Sequence, residues 1–204
     1  MRNPILIAMI LCILAIPAFA QSEAGKGELG WQYSYLIKEY DVPSLSPLVA
    51  RREFRRDVPA GIGMDVGVNL SRTISLVGDF SFHREDISTF LAPRTELRSR
   101  DFIFLFGPRF YFRSRVITGF GHALFGGTYS NYEFVDRLTG GDLRRSSYSN
   151  TNFTMGFGGG LDFSVSDVIS IRAVQFDYLP RRERNEWKDS FRFKSGVVFR
   201  FGEQ

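Results

Sequence analysis

Residues 153–165 alternate between two kinds of side chain. Phe153, Met155, Phe157, Leu161, Phe163 and Val165 take one set of positions, broken only by Gly159. Thr154, Gly156, Gly158, Gly160, Asp162 and Ser164 take the other. A period of two belongs to a β-strand with two different faces. One face here is apolar and aromatic; the other is small and polar. Seven further segments, 29–37, 61–70, 74–82, 101–112, 116–128, 168–179 and 191–201, repeat the theme with varying regularity. Residues 61–70 are the cleanest, with Ile62, Met64, Val66, Val68 and Leu70 against Gly61, Gly63, Asp65, Gly67 and Asn69. On the same reading, Phe120 and Leu124 face outward against Gly119, Gly121 and Ala123.

The chain opens with a segment that reads as a leader. Arg2 supplies a positive start, Ile5 to Ile16 are apolar without interruption, and Ala18-Phe19-Ala20 is an A-x-A cleavage signature before Gln21. These are the parts of a secretory signal peptide over residues 1–20, leaving one domain over 21–204. The single cysteine, Cys12, lies inside that leader, so the exported chain carries no disulfide. No later segment has the run of about 18 apolar residues that a membrane-crossing helix needs. Strands with one greasy face, behind an export signal and without disulfides, fit an all-β chain closed into an eight-stranded antiparallel up-and-down transmembrane barrel. Its greasy face meets lipid and its small face lines the interior.

The connections support closure. Residues 71–73, 113–115 and 166–167 read as tight turns, whereas the stretches near 38–60, 83–100, 129–150 and 180–190 read as longer, polar loops. Short turns at one end and long loops at the other mark outer-membrane barrels. Of the 21 phenylalanines, Phe102, Phe104, Phe106, Phe157, Phe163, Phe191, Phe193, Phe199 and Phe201 fall on the lipid side. Pro108 shares that side and predicts a local bulge, because it removes a ladder hydrogen bond. Trp31, Tyr33, Tyr35 and Trp187 sit near strand ends, where aromatic girdles form.

Eight strands leave an interior only wide enough for side chains. Parity directs Asp65, Asp79, Arg109, Asp162, Arg172 and Arg200 inward, at middle or lower depth. Three acids and three bases predict a self-neutralising ion-pair network filling the lumen, since an unpaired buried charge is costly. Arg172 and Asp177 have opposite parity, so both face inward only across a bulge. The formal net charge is +4, and basic residues gather in the predicted loops: Arg51, Arg52, Arg55, Arg56, Arg144, Arg145, Arg181 and Arg182. These are candidate loop contacts for anionic head groups or an extracellular ligand. Mixed-sign loops on an exported chain argue against nucleic acid.

Three segments resemble the small eight-stranded outer-membrane β-barrel family, such as the OmpA transmembrane domain and OmpX. They are Phe104-Leu105-Phe106-Gly107-Pro108-Arg109, Gly158-Gly159-Gly160-Leu161-Asp162-Phe163 and Ile171 to Tyr178. The resemblance implies a monomer in the outer membrane of a Gram-negative bacterium, surrounded by outer-membrane lipids. It also implies recognition of a C-terminal aromatic signal by the barrel-assembly machinery. Phe199 and Phe201 resemble that signal, although Gly202-Glu203-Gln204 follow.

Catalytic and cofactor chemistry finds little support. Gly119-x-Gly121 and Gly156-x-Gly158 both place Leu where a dinucleotide fingerprint needs its third glycine. Two histidines and no exported cysteine argue against a metal site. His122 falls on lipid-facing parity. Ser81, His83 and Asp86 lie close in sequence near the third strand's outer end, the one arrangement compatible with acyl transfer or hydrolysis. The reading is a non-enzymatic barrel without cofactor that presents loops for binding or adhesion, or supports the envelope. A narrow gated channel comes second, and a lipid-modifying enzyme third.

Overall fold

The first strand finds partners on both of its edges, and that closes the sheet. In the computed structural model, which describes residues 26–41, 53–58, 61–89, 95–137, 143–183 and 186–202, the elements are all strands. They are β1 (Lys26–Asp41), β2 (Glu53–Val58), β3 (Gly61–Asn69), β4 (Ile74–Thr89), β5 (Thr95–Arg113), β6 (Ile117–Arg137), β7 (Leu143–Ser164), β8 (Ile169–Tyr178), β9 (Arg181–Glu183), β10 (Glu186–Lys188) and β11 (Ser190–Phe201). The β1 strand pairs antiparallel with β11 from Gly27↔Phe201 to Lys38↔Ser190, and with β3 from Lys26↔Asn69 to Tyr33↔Ile62. Antiparallel pairs β3–β4, β4–β5, β5–β6, β6–β7, β7–β8 and β8–β11 complete the ring. The result is a closed eight-stranded antiparallel β-barrel. Above it β2 continues the wall beside β1, and the short β9–β10 hairpin continues it beside β7. Closure pairs the edges that would otherwise face lipid unsatisfied.

Three tight turns join the staves at one end. In two of them a serine is used identically. Ser71 Oγ accepts from the Thr73 and Ile74 backbone N–H groups at 3.3 and 3.1 Å. Ser166 Oγ accepts from Val168 and Ile169 at 3.4 and 3.1 Å. Serine favours such turns because its hydroxyl substitutes for a backbone acceptor.

The opposite end departs from the sequence reading. Much of the 83–100 and 129–150 stretches is strand, not loop. The β4–β5 ladder runs to Thr89↔Thr95 and the β6–β7 ladder to Arg137↔Leu143. A barrel strand crosses lipid in about 9–11 residues, whereas β5, β6 and β7 have 19, 21 and 22. Their surplus length carries two paired hairpins beyond the apolar band. Arg, Glu and Asp mask strand propensity in these segments, but the backbone register continues through them, with Asp86 opposite Arg98 and Asp136 opposite Arg144.

Two local expectations need correction. The first concerns Pro108, where there is no bulge. The β4–β5 register runs unbroken through Leu76↔Pro108. The β5–β6 ladder resumes its register at Arg109↔His122 after skipping Gly107 and Pro108. Gly107 makes this pinch feasible, since a Cβ there would collide with the Ala123 carbonyl oxygen. The second concerns β6, whose facing is inverted. Phe120, His122 and Leu124 point inward and are buried, while Gly119, Gly121 and Ala123 lie on the outer side. A lumen this narrow is packed like a core, so it accepts large apolar side chains as well as glycine.

A bulge does occur in β8. Ala173 and Val174 are consecutive outward positions, and the register shifts here against both β7 and β11. The extra residue lets both Arg172 and Asp177 face inward. The outer wall carries Phe106, Phe110, Phe125, Phe157, Phe163 and Phe201 exposed, with Trp31 and Tyr33 more than half exposed, at 57% and 54%. Phe106→Arg should therefore lower the unfolding free energy in lipid vesicles by about 2–4 kcal/mol, the cost of an arginine near the bilayer midplane. Equal denaturant midpoints for variant and parent would place this face outside the hydrocarbon.

Candidate functional site

The lumen holds the densest chemistry in the described residues. Its lower half is built around a conflict set by register. Asp65 on β3 and Asp79 on β4 are direct cross-strand partners, both buried, and two carboxylates so placed repel each other. Bases from other strands of the ring relieve this. Lys194 Nζ is 2.6 Å from Asp79 Oδ2 and 4.0 Å from Asp65 Oδ1. Arg109 Nη1 and Arg172 Nη1 each donate to Asp65 Oδ2 at 2.8 Å, and the Gln32 amide adds a further bond to Oδ1. Arg192 spans Asp79 and Asp177, at 2.9 and 2.7 Å. His122 Nε2 lies 2.9 Å from Asp177, and Gln175 donates to the same carboxylate at 2.9 Å.

Below this layer, Arg172 clamps Asp162 through Nε and Nη2 at 2.8 and 3.1 Å. Glu28 accepts from the Tyr111 hydroxyl and from Arg109 at 3.2 Å. The Arg109 and Arg172 guanidinium carbons stand 4.7 and 4.4 Å from the centroid of the Phe120 ring. That contact gives the inverted facing of β6 a function, because an aromatic face is a favourable neighbour for a desolvated cation.

The upper half is closed differently. Leu36, Ile103, Leu105, Leu124 and Leu179 form a buried apolar cluster across the lumen. Above it, Lys38 donates to both oxygens of Asp101 at 2.8 Å and to the Tyr132 hydroxyl at 3.1 Å, and Ser130 also bonds to Asp101. A cavity of about 10 Å³ beside Lys38, Thr128, Thr154 and Arg181 has room for one water. Ions would have to displace both the leucine cluster and the ion pairs to pass.

Of the six residues assigned inward from sequence, Asp65, Asp79, Arg109, Asp162 and Arg172 lie in the lower lumen. Arg200 differs, standing at the short-turn mouth with its side chain 12% exposed and Nη2 3.7 Å from Asp162. Glu28, Lys38, Asp101, Asp177, Arg192 and Lys194 belong to the interior but stand outside that set. The nine phenylalanines assigned to lipid are on the outer side, Phe102, Phe104 and Phe191 being partly covered by neighbours. Among the candidate loop contacts, Arg181 is a correction. It is buried, facing the upper cavity and paired with Glu183 at 3.2 Å, because β9 continues the inward alternation of the wall. Arg182 is exposed. Arg144 and Arg145 are in β7, and Arg55 and Arg56 in β2, with side chains outside the described set; Arg51 and Arg52 lie wholly outside it.

His83 points into the lumen rather than toward a loop. Its Nε2 is 2.9 Å from Ser34 Oγ, and its ring packs against Gly61. Ser81 Oγ instead accepts from Arg192 Nη1 at 2.8 Å. Ser81 and His83 thus have separate partners, and the Asp86 side chain lies outside the described set.

Removing one member of a buried charge cluster leaves its partners uncompensated, typically at about 3–5 kcal/mol. Asp65→Ala should lower the unfolding free energy by that amount, read from denaturant-dependent loss of the heat-modifiable band. A loss below about 1 kcal/mol would mean that the cluster does not hold the walls together.

Ail, the attachment invasion locus protein of Yersinia pestis, solved with the heparin analogue sucrose octasulfate, matches with a TM-score of 0.54 at 14% identity, over 86% of this chain and 99% of Ail. OprG, an outer membrane protein of Pseudomonas aeruginosa, matches with a TM-score of 0.55 at 10% identity, over 91% of this chain and all (100%) of OprG. Neisserial surface protein A gives 0.50 at 14% identity, over 86% and 97% of the two chains. At these identities the likeness is one of fold. No curated protein matches the sequence. The family model for the outer membrane protein beta-barrel domain matches residues 6–201, nearly the whole chain, and the protein belongs to that family.

Proposed function

We propose that this protein is a non-enzymatic barrel of a Gram-negative outer membrane, exported behind a cleaved leader over residues 1–20. It presents its two long hairpins at the cell surface for binding or adhesion, or braces the envelope. The observation carrying this reading is the contrast between a filled lumen and overlong staves. Ion pairs and a leucine cluster occupy the interior, while β6 and β7 rise well past the length lipid requires. The separate partners of Ser81 and His83 argue against hydrolysis. Outer-membrane lipids and the barrel-assembly machinery are its proposed partners, with an extracellular ligand at the hairpins and a monomeric state; nucleic acid has no part.

The basic character of the loop end favours an anionic ligand. Ail was crystallised with a sulfated heparin analogue, and sucrose octasulfate is a suitable probe for this chain. Folded protein in nonionic detergent should bind immobilised heparin at low salt and be displaced by sucrose octasulfate. Arg144→Ser/Arg145→Ser/Arg182→Ser should elute at lower salt, because fewer positive charges leave a weaker attraction for salt to screen, with a Debye length of about 10 Å at 0.1 M. No retention at low salt would remove anionic glycans as the ligand class. In planar bilayers the protein should add no conductance steps to the lipid background. Reproducible steps altered by Asp65→Asn would replace this reading with the narrow gated channel.

A further inference from the structure

At the short-turn mouth, opposite the long hairpins, the barrel opens into a pocket of about 410 Å³, within the roughly 300–1,000 Å³ of small-molecule sites. Arg113, Arg115 and Arg200 line it beside the hydroxyls of Thr118 and Ser164, with Asp167 as the one acid in the lining. The concentration of cation is built in. Arg113 is held by Asn69 Oδ1 at 3.1 Å and lies over the Tyr111 ring at 4.6 Å, so its guanidinium cannot swing away freely.

Arg200 is the telling residue. Its Nη1 makes only a long contact of 3.4 Å to Ser164 Oγ. The neighbouring carboxylate, Asp162, is 3.7 Å from Nη2 and has both oxygens engaged by Arg172 at 2.8 and 3.1 Å. Arg200 Nε and Nη2 are shielded from solvent yet have no hydrogen-bond partner among the described residues. Guanidinium donors left this way carry a desolvation cost that an arriving acceptor removes. Nε and one Nη form the planar fork that matches two oxygens of a phosphate.

We propose that this mouth is a phosphate-binding site, in which the weakly held Arg200 guanidinium turns into the pocket it lines to meet a phosphate ester, with Arg115 and Arg113 completing the charge balance. The chemistry is common to a soluble phosphate and to the headgroup phosphate of a lipid in the adjoining leaflet. The site is independent of the hairpin function, since it lies at the other end of the barrel and shares no residue with it.

The test is an NMR titration of the folded, leader-free chain in alkyl maltoside micelles with inorganic phosphate at constant ionic strength, sodium chloride serving as control. Amides of residues 114–116 and 165–168 should shift with phosphate and not with chloride. Arg200→Gln and Arg115→Gln should each raise the midpoint about tenfold or more. Arg115 lies on an exposed turn, so its variant keeps the test decisive if Arg200→Gln loses heat-modifiability. In a second arm the chain is placed in phosphatidylglycerol nanodiscs without free phosphate. Arginine-dependent shifts there alone assign the site to a lipid headgroup, and shifts with inorganic phosphate assign it to a soluble ligand. Shifts matching those of chloride, or unchanged by both variants in both arms, overturn the proposal.

Discussion

Two carboxylates facing each other across a ladder organise the interior. The register of β3 against β4 sets Asp65 opposite Asp79, and burial leaves water unable to screen them. Neither side chain can retreat, because each wall is fixed by closure. The cations must come from elsewhere on the ring, and they do: Arg109 from β5, Arg172 from β8, Arg192 and Lys194 from β11. Each bridge therefore ties together strands that are distant in the sequence. The same charges that would be a liability in isolation act as cross-braces once the barrel is closed. This couples register to electrostatics, since sliding β3 by one residue would turn Asp65 to the lipid face and leave Arg109, Arg172 and Lys194 without it.

The lumen has a polar layer and an apolar layer, and the division follows from what each strand offers at a given height. Where β3, β4 and β11 meet, the inward residues are acids and bases; where β1, β5 and β6 meet higher up, they are Leu36, Ile103, Leu105 and Leu124. A barrel of eight strands is narrow enough for side chains from opposite walls to touch. Both layers are accordingly packed by side chains of the wall itself.

Much of this was legible in the sequence, and the gaps have physical causes. Alternation gave the facing of β1, β3, β4, β5, β7 and β11 directly, because lipid demands apolar groups on every second position. It failed on β6, where the rule that small residues face inward breaks down: Phe120 is needed as the aromatic neighbour of Arg109 and Arg172, and a Cβ on the outward Gly121 would meet only an ordinary contact, 3.7 Å from the Gly158 carbonyl oxygen. It failed to complete the interior set for a different reason. Glu28, Lys38 and Asp101 sit at or beyond the ends of the segments with clear alternation, where charge looks like loop. Asp177 was separated from Arg172 by a bulge whose position periodicity alone cannot fix. The long hairpins were read as loops because their strands bear charge on both faces, and what reveals them is cross-strand pairing, which belongs to two segments at once.

A filled lumen moves function to the ends of the barrel. The wall faces lipid and the interior is occupied, so the exposed polar surface is divided between the hairpin end and the turn end. These two ends differ in kind. The hairpin end is extended, its ladders running to Thr89↔Thr95 and Arg137↔Leu143, and the proposed surface contacts fall there. The turn end is short, held by Ser71 and Ser166, and gathers Arg113, Arg115 and Arg200 around one pocket. The asymmetry follows from a single structural fact: every connection at the turn end must be tight to keep the ladder in register, whereas the other end can lengthen freely once closure has been secured below.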